Sequence, residues 1–144
     1  MSLSAAACQY AAQYAPLLSA LGAGGNERIQ PECVPQGKTG DHVVFQALAL
    51  PDIRALSGAY SQKHRSPLQV KVYAADQDRR RTIATTVRTM MRAWRGTWAD
   101  EEIVEVNKDG VDFDGVEDPM DGSQGRDWFT LIRYAVWHRS TTEV

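Results

Sequence analysis

Two periods divide the chain: apolar residues recur every three or four positions in some stretches and every second position in others. From about Ser4 to Leu21, Ala6, Tyr10, Leu17, Leu18 and Leu21 can share one helical stripe, and the "GAGG" at 22–25 supplies the C-cap chemistry that ends a helix. Pro16 interrupts this pattern, because it removes a hydrogen bond and predicts a kink or a restart. The second helical stretch begins after Asp76, a good N-cap residue, and runs to Gly96. Ile83, Val87, Met90, Met91 and Trp94 fall on one side of it, while Arg81, Arg88, Arg92 and Arg95 fall nearly opposite. The spacing predicts an amphipathic helix over about 77–95 lying on a sheet.

The remaining apolar stretches read as strands. "DHVVFQALAL" at 41–50 is rich in β-branched and aromatic residues and is closed by Pro51. "SPLQVKVYAA" at 66–75 alternates, with Leu68, Val70, Val72 and Ala74 on one face and Gln69, Lys71 and Tyr73 on the other. "RDWFTLIRYAVWHR" is long enough to cross a whole sheet. Its two faces, Trp128, Ile132, Tyr134 and Val136 against Phe129, Leu131, Ala135 and Trp137, are both apolar, so one is expected to meet the helices and the other a different chain. "EIVEV" follows Glu101, the prolines of "RIQPECV" suggest an edge segment, and the Asp–Gly steps at 109–110 and 114–115 are hairpin-turn signals. The stretch 51–65 has no clear period and reads as a long exposed loop of the kind that carries function. The expected architecture is α+β: an antiparallel sheet of about four main strands, the amphipathic helix on one face, and an N-terminal helix.

Composition narrows what such a domain does. At 144 residues the chain suits one domain with a proper core. Sixteen basic against eighteen acidic residues give a net charge of −2, so any nucleic-acid binding must be local. Cys8 and Cys33 make neither a disulfide framework nor a zinc cluster, which suits a reducing compartment. The first twenty residues lack the basic region of a signal peptide, and no stretch approaches the eighteen apolar residues of a membrane span. "GAGG" follows a helix and lacks the lysine of a phosphate loop.

Candidate chemistry is sparse. His42, His64 and His138 stand in no metal-binding motif, and no serine lies in a nucleophile elbow. The run holding Asp109, Asp112, Asp114, Glu117, Asp118 and Asp121 fits no EF-hand frame and reads as a solvated acidic loop able to face a basic partner. No catalytic, metal or cofactor-binding residue is expected, and the chain is not read as an enzyme. The arginine face is either solvated surface or a phosphate contact, and no second helix of a helix-turn-helix accompanies it.

The order of elements is more specific. A helix ending near Gly22, "VVFQ" at 43–46, a loop with "LSG", "QVKVYAAD" at 69–76 leading into the helix that closes at "RAWRG", and the terminal "YAVWHR" at 134–139 together resemble the tail-completion, or tail-terminator, family of long-tailed double-stranded DNA phages. The resemblance spans about residues 3–139 and rests on the ordered set, with a longer acidic insertion at about 114–125 as a departure. It implies a single virion assembly domain, 1–144, without catalysis or cofactor. Such proteins form a homo-oligomeric ring, typically a hexamer, at the head-proximal end of the tail. The ring stops polymerisation of the tail tube protein and offers a docking surface to the head connector, while DNA passes through it as cargo and no membrane is involved. Residues assigned to subunit or partner contacts on this basis are Arg81, Arg88, Arg92 and Arg95 of the helix, Ile53, Leu56 and Tyr60 of the loop, Asp118 and Asp121 of the acidic run, and Trp137 of the last strand. The arginines are expected to meet a neighbouring subunit, an acidic patch such as 109–121 included. The alternatives are a small nucleic-acid-binding protein using the arginine face, whose affinity would fall with salt, and a small enzyme, which needs a pocket of convergent polar groups.

Overall fold

The structure, a computed structural model, describes residues 3–22, 28–31, 41–47, 64–117 and 127–140. The N-terminal helix is in fact two. Helix α1 (Leu3–Ala11) stops before Pro16, which lies in the first turn of α2 (Ala15–Leu21), where its missing N–H costs nothing. Gly22 closes α2 at φ +80°, its N–H donating to the Leu18 carbonyl at 3.1 Å. The amphipathic helix α3 (Gln77–Arg92) is capped by the Asp76 carboxylate, which accepts from the Asp78 N–H at 3.1 Å, and it ends just before Trp94, the last residue of its apolar stripe.

The sheet corrects the expected four-stranded antiparallel architecture. Strands β1 (Ile29–Pro31), β2 (His42–Ala47), β3 (His64–Ala74), β4 (Gly96–Trp98), β5 (Glu101–Lys108), β6 (Phe113–Glu117) and β7 (Asp127–Ser140) form one seven-stranded mixed sheet in the order β1-β2-β3-β7-β5-β4, with β6 also on β7. The β1–β2 pair is parallel and the others are antiparallel. Strands β1, β4 and β6 are three to five residues long, too short to show a period of their own. They exist because longer neighbours offer unpaired backbone. Strand β3 also starts at His64, inside the stretch 51–65 read as loop.

Neither Asp–Gly step makes a hairpin. Strand β3 covers one edge of β7 from His138 to Trp128, while β5 and then β6 run in a single direction along the other, opposite 134–140 and 127–131. Asp109 and Gly110 sit at the joint between β5 and β6, with Gly110 at φ +84° and the Asp109 N–H donating to Arg133 at 2.8 Å. Gly115 lies within β6 opposite Phe129, whose ring would come within 2.5 Å of a Cβ at that position. The two-residue hairpin of this region joins β4 to β5 through Ala99 and Asp100, at φ 47° and 64°, the type I′ signature on residues that seldom adopt it. Gln9 of α1 steadies the turn by accepting the Ala99 N–H at 2.7 Å.

Helices α1 and α3 pack against one face of the sheet, α2 packs on α3, and the sheet curls so far that α1 contacts both β1 and β4 at its opposite ends. The core joins Ala6, Ala7, Leu17 and Leu21 to Ile83, Val87, Met90, Met91 and Trp94, over Val43, Phe45, Leu68, Val70, Val72, Ile132 and Val136. Tyr10 stacks on buried Trp94, ring centres 5.8 Å apart, and meets Trp98 at a 59° tilt and 5.2 Å, while its hydroxyl donates to the Met90 carbonyl at 2.9 Å. Changing Ala99–Asp100 to Asn–Gly, which tolerates positive φ, is expected to stabilise the fold by about 1 kcal/mol in urea unfolding. A loss of stability would mean that the turn stores no strain.

Candidate functional site

The helix spacing that buries Ile83, Val87 and Met90 also brings Arg80 onto the same side, three residues before Ile83. Its side chain is only 5% exposed, so its charge requires partners. Arg80 Nη1 donates to Asp114 Oδ1 of β6 at 2.9 Å and to Thr130 Oγ1 of β7, and the Thr130 hydroxyl donates to the same carboxylate oxygen at 2.7 Å. The Asp114 side chain is 61% exposed, so water screens this pair from one side, and Arg80 Nε remains a buried donor with no acceptor. Two turns on, Arg88 donates through Nε to Asp112 at 2.9 Å, and Lys108 reaches the other oxygen of that carboxylate at 3.1 Å.

Helix α3 and strand β6 thus form the walls of a groove of about 610 Å³. Gln77, Arg80, Arg81, Ala84, Thr85 and Arg88 line one wall, and Asp114, Gly115, Val116 and Trp128 line the other. Arg81 is 65% exposed and its ion-pair partner is Asp78 at 3.9 Å, an exposed contact of little energy. Arg92, the last residue of α3, and Arg95, just beyond the helix, are both exposed, Arg95 Nη1 donating to the Trp94 carbonyl at 2.6 Å.

The residues assigned to contacts from sequence are therefore divided. Arg81 and Arg88 come together in the groove, Arg92 is exposed in the last turn of α3, and Arg95 lies beyond the helix end. Trp137 is half-buried on the opposite face of the sheet, between Arg65 and Glu105 in register. Ile53, Leu56, Tyr60, Asp118 and Asp121 lie outside the described residues. Asp112 and Asp114 of the acidic run pair with arginines of their own chain. Arg80 is not among the residues the arginine stripe singles out, although its place on the apolar side of α3 is a readable sign of a buried, partnered charge.

A second polar cluster was not legible at all. Strands β3, β5 and β7 bring Ser66, Glu101 and His138 into a chain in which His138 Nδ1 lies 2.9 Å from Glu101 Oε2 and Nε2 lies 2.7 Å from Ser66 Oγ. With the proton on Nδ1, the imidazole donates to the carboxylate and accepts from the hydroxyl, which is the hydrogen-bond order of a hydrolase triad. None of the three lines the groove. The relay closes the polar requirements of a largely buried histidine and ties three strands together. Only the register of 66, 101 and 138 creates it.

No protein-family model and no curated protein matches the sequence. A solved structure does match. A chain of the "Virion of native gene transfer agent (GTA) particle" superposes with a TM-score of 0.65 over 95% of this chain and 95% of that one, at 14% identity. This chain shares its fold with a virion component. Among the described residues, no helix is long and apolar enough to cross a membrane, and no group of three or more metal-ligating side chains stands together.

Tyr134, a buried residue of β7, has its phenol pushed up to about 12, first by burial and then by the charge of Asp112, with Arg88 and Arg92 pulling the other way. The neutral form is favoured on folding, so this contribution is complete below pH about 10 and is lost as the unfolded phenol ionises between about 10 and 12. Urea unfolding should show a decline of about 2–3 kcal/mol across that window, reduced in Tyr134→Phe. Asp114→Ala is expected to destabilise by about 1–3 kcal/mol through the partner it removes from Arg80, whereas Arg81→Ala should stay within about 0.5 kcal/mol. Equal effects would mean that Arg80 does not depend on Asp114.

Proposed function

We propose that this protein is a structural component of a phage-like virion, acting as a tail terminator. Copies of it form a ring, a hexamer on the family resemblance, at the head-proximal end of the tail. There the ring ends growth of the tail tube protein and presents the surface to which the head connector docks. DNA is cargo in its lumen. The observation that carries the reading is the end-to-end fold likeness to a chain of a gene transfer agent virion, over 95% of both chains. The resemblance of "VVFQ", "QVKVYAAD" and "YAVWHR" to tail-completion proteins supplies the position on the tail. Contacts, and no catalysis, are the proposed mode of action.

A nucleic-acid-binding role has one observation in its favour, the exposure of Arg81 and Arg92 on α3 and of Arg95 just beyond its end. The pairing of Arg88 with Asp112 weakens it, because it removes one positive charge from that stripe. Strong phosphate binding would also impede DNA moving through a conduit.

Tails assembled without the protein should be overlong or unable to join heads when imaged by electron microscopy, and adding it back should restore length and attachment. Normal, head-attached tails in its absence would overturn the reading. Tight duplex binding with a steep salt dependence, and no effect on tails, would favour the alternative.

A further inference from the structure

The three large hydrophobic side chains exposed among the described residues all fall within one short segment: Val111 at 92%, Phe113 at 60% and Val116 at 41%. Val111 is at the joint between β5 and β6, beside exposed Asp109 and next to Gly110, and its side chain meets almost nothing of its own chain. The base of this tip is nevertheless held. The Asp109 N–H donates to Arg133 at 2.8 Å, and Asp112 is gripped by Arg88 and Lys108. An exposed valine on a braced projection pays no ordering cost when a partner covers it.

The α3–β6 groove is complementary to that tip in both respects. It offers Val116 and Trp128 as an apolar wall and Arg81 as a cation with only a weak partner. Asp112 and Asp114 already serve arginines in cis, leaving Asp109 as the exposed carboxylate of the joint.

We propose that copies of this chain associate by seating the Asp109–Val111 tip of one copy in the α3–β6 groove of the next, with Asp109 facing Arg81 and Val111 packing on Val116 and Trp128. The inference rests on the self-assembly reading above and names the surfaces that carry it. The tip and the groove are different surfaces of one chain, as the head-to-tail contact of a closed ring requires.

The test uses the full chain and substitutions at exposed positions that leave the fold intact. Self-association of wild type, Val111→Asp, Asp109→Arg, Arg81→Asp and the double variant Asp109→Arg/Arg81→Asp is followed by sedimentation up to roughly 0.1 mM, a range that detects weak assembly. Each single variant should weaken association at least tenfold, and the double variant should recover most of it. Mixing Val111→Cys with Val116→Cys under mild oxidation should give a disulfide-linked heterodimer that neither variant gives with wild type. Singles that associate like wild type, a double variant without recovery, or no heterodimer would overturn the contact. If these fail while the wild type still forms rings or restores tail length, the assembly reading survives and this interface alone is wrong. Wild type with neither property removes both. Binding of duplex DNA that is lost in Arg81→Asp, with association unchanged, would assign the groove to nucleic acid and would also overturn the proposal.

Discussion

Fourteen residues of extended chain in β7 present backbone donors and acceptors along two edges, and the structure depends on pairing both. Strand β3 covers one edge across eleven consecutive pairs. The second edge is longer than β5 alone can cover, so the chain continues past a joint at Asp109–Gly110 and covers the rest with β6. From this requirement come the central position of β7 in the sheet, the projection at the joint, and the placement of Asp112 and Asp114 against α3.

Helix α3 then serves two environments at once. Its apolar stripe, with Trp94 stacked on Tyr10, closes the core, and the same stripe carries Arg80 into a nearly dry site. A charge in that position is tolerated because Asp114 and Thr130 approach from two different strands, so the pair also fixes where β6 lies against the helix. The groove is a consequence of that spacing. Its walls stand apart because arginine side chains, not apolar ones, bridge them.

This division suits the assembly role proposed above. The sheet's concave face and the helices are occupied with one another, while the tip, the groove and the half-buried aromatic residues Phe129, Tyr73 and Trp137 of the outer face remain available to other chains. Lys71 lies 4.5–4.8 Å from the ring centres of Phe129 and Tyr73, which keeps part of that outer face polar.

Local chemistry alone determined much of this. The cap at Asp76, the stop at Gly22, the buried faces of β3 and α3, and an edge position for the 29–31 segment are all legible in order of residues, because each depends on neighbours a few positions away. The break at Pro16 was legible as an interruption and became two helices. What only the tertiary structure decided depends on residues far apart in the chain. Asp–Gly at 109–110 carries a hairpin signal, yet the unpaired edge of β7 outweighs it and keeps the chain running forward. Ala99–Asp100 carries no such signal, yet turns because β4 and β5 pair and Gln9 holds it. Strands of three to five residues, the parallel β1–β2 pair, the Ser66–His138–Glu101 relay and the partners of Arg80 exist through register, and register is set by long-range pairing that no local period encodes.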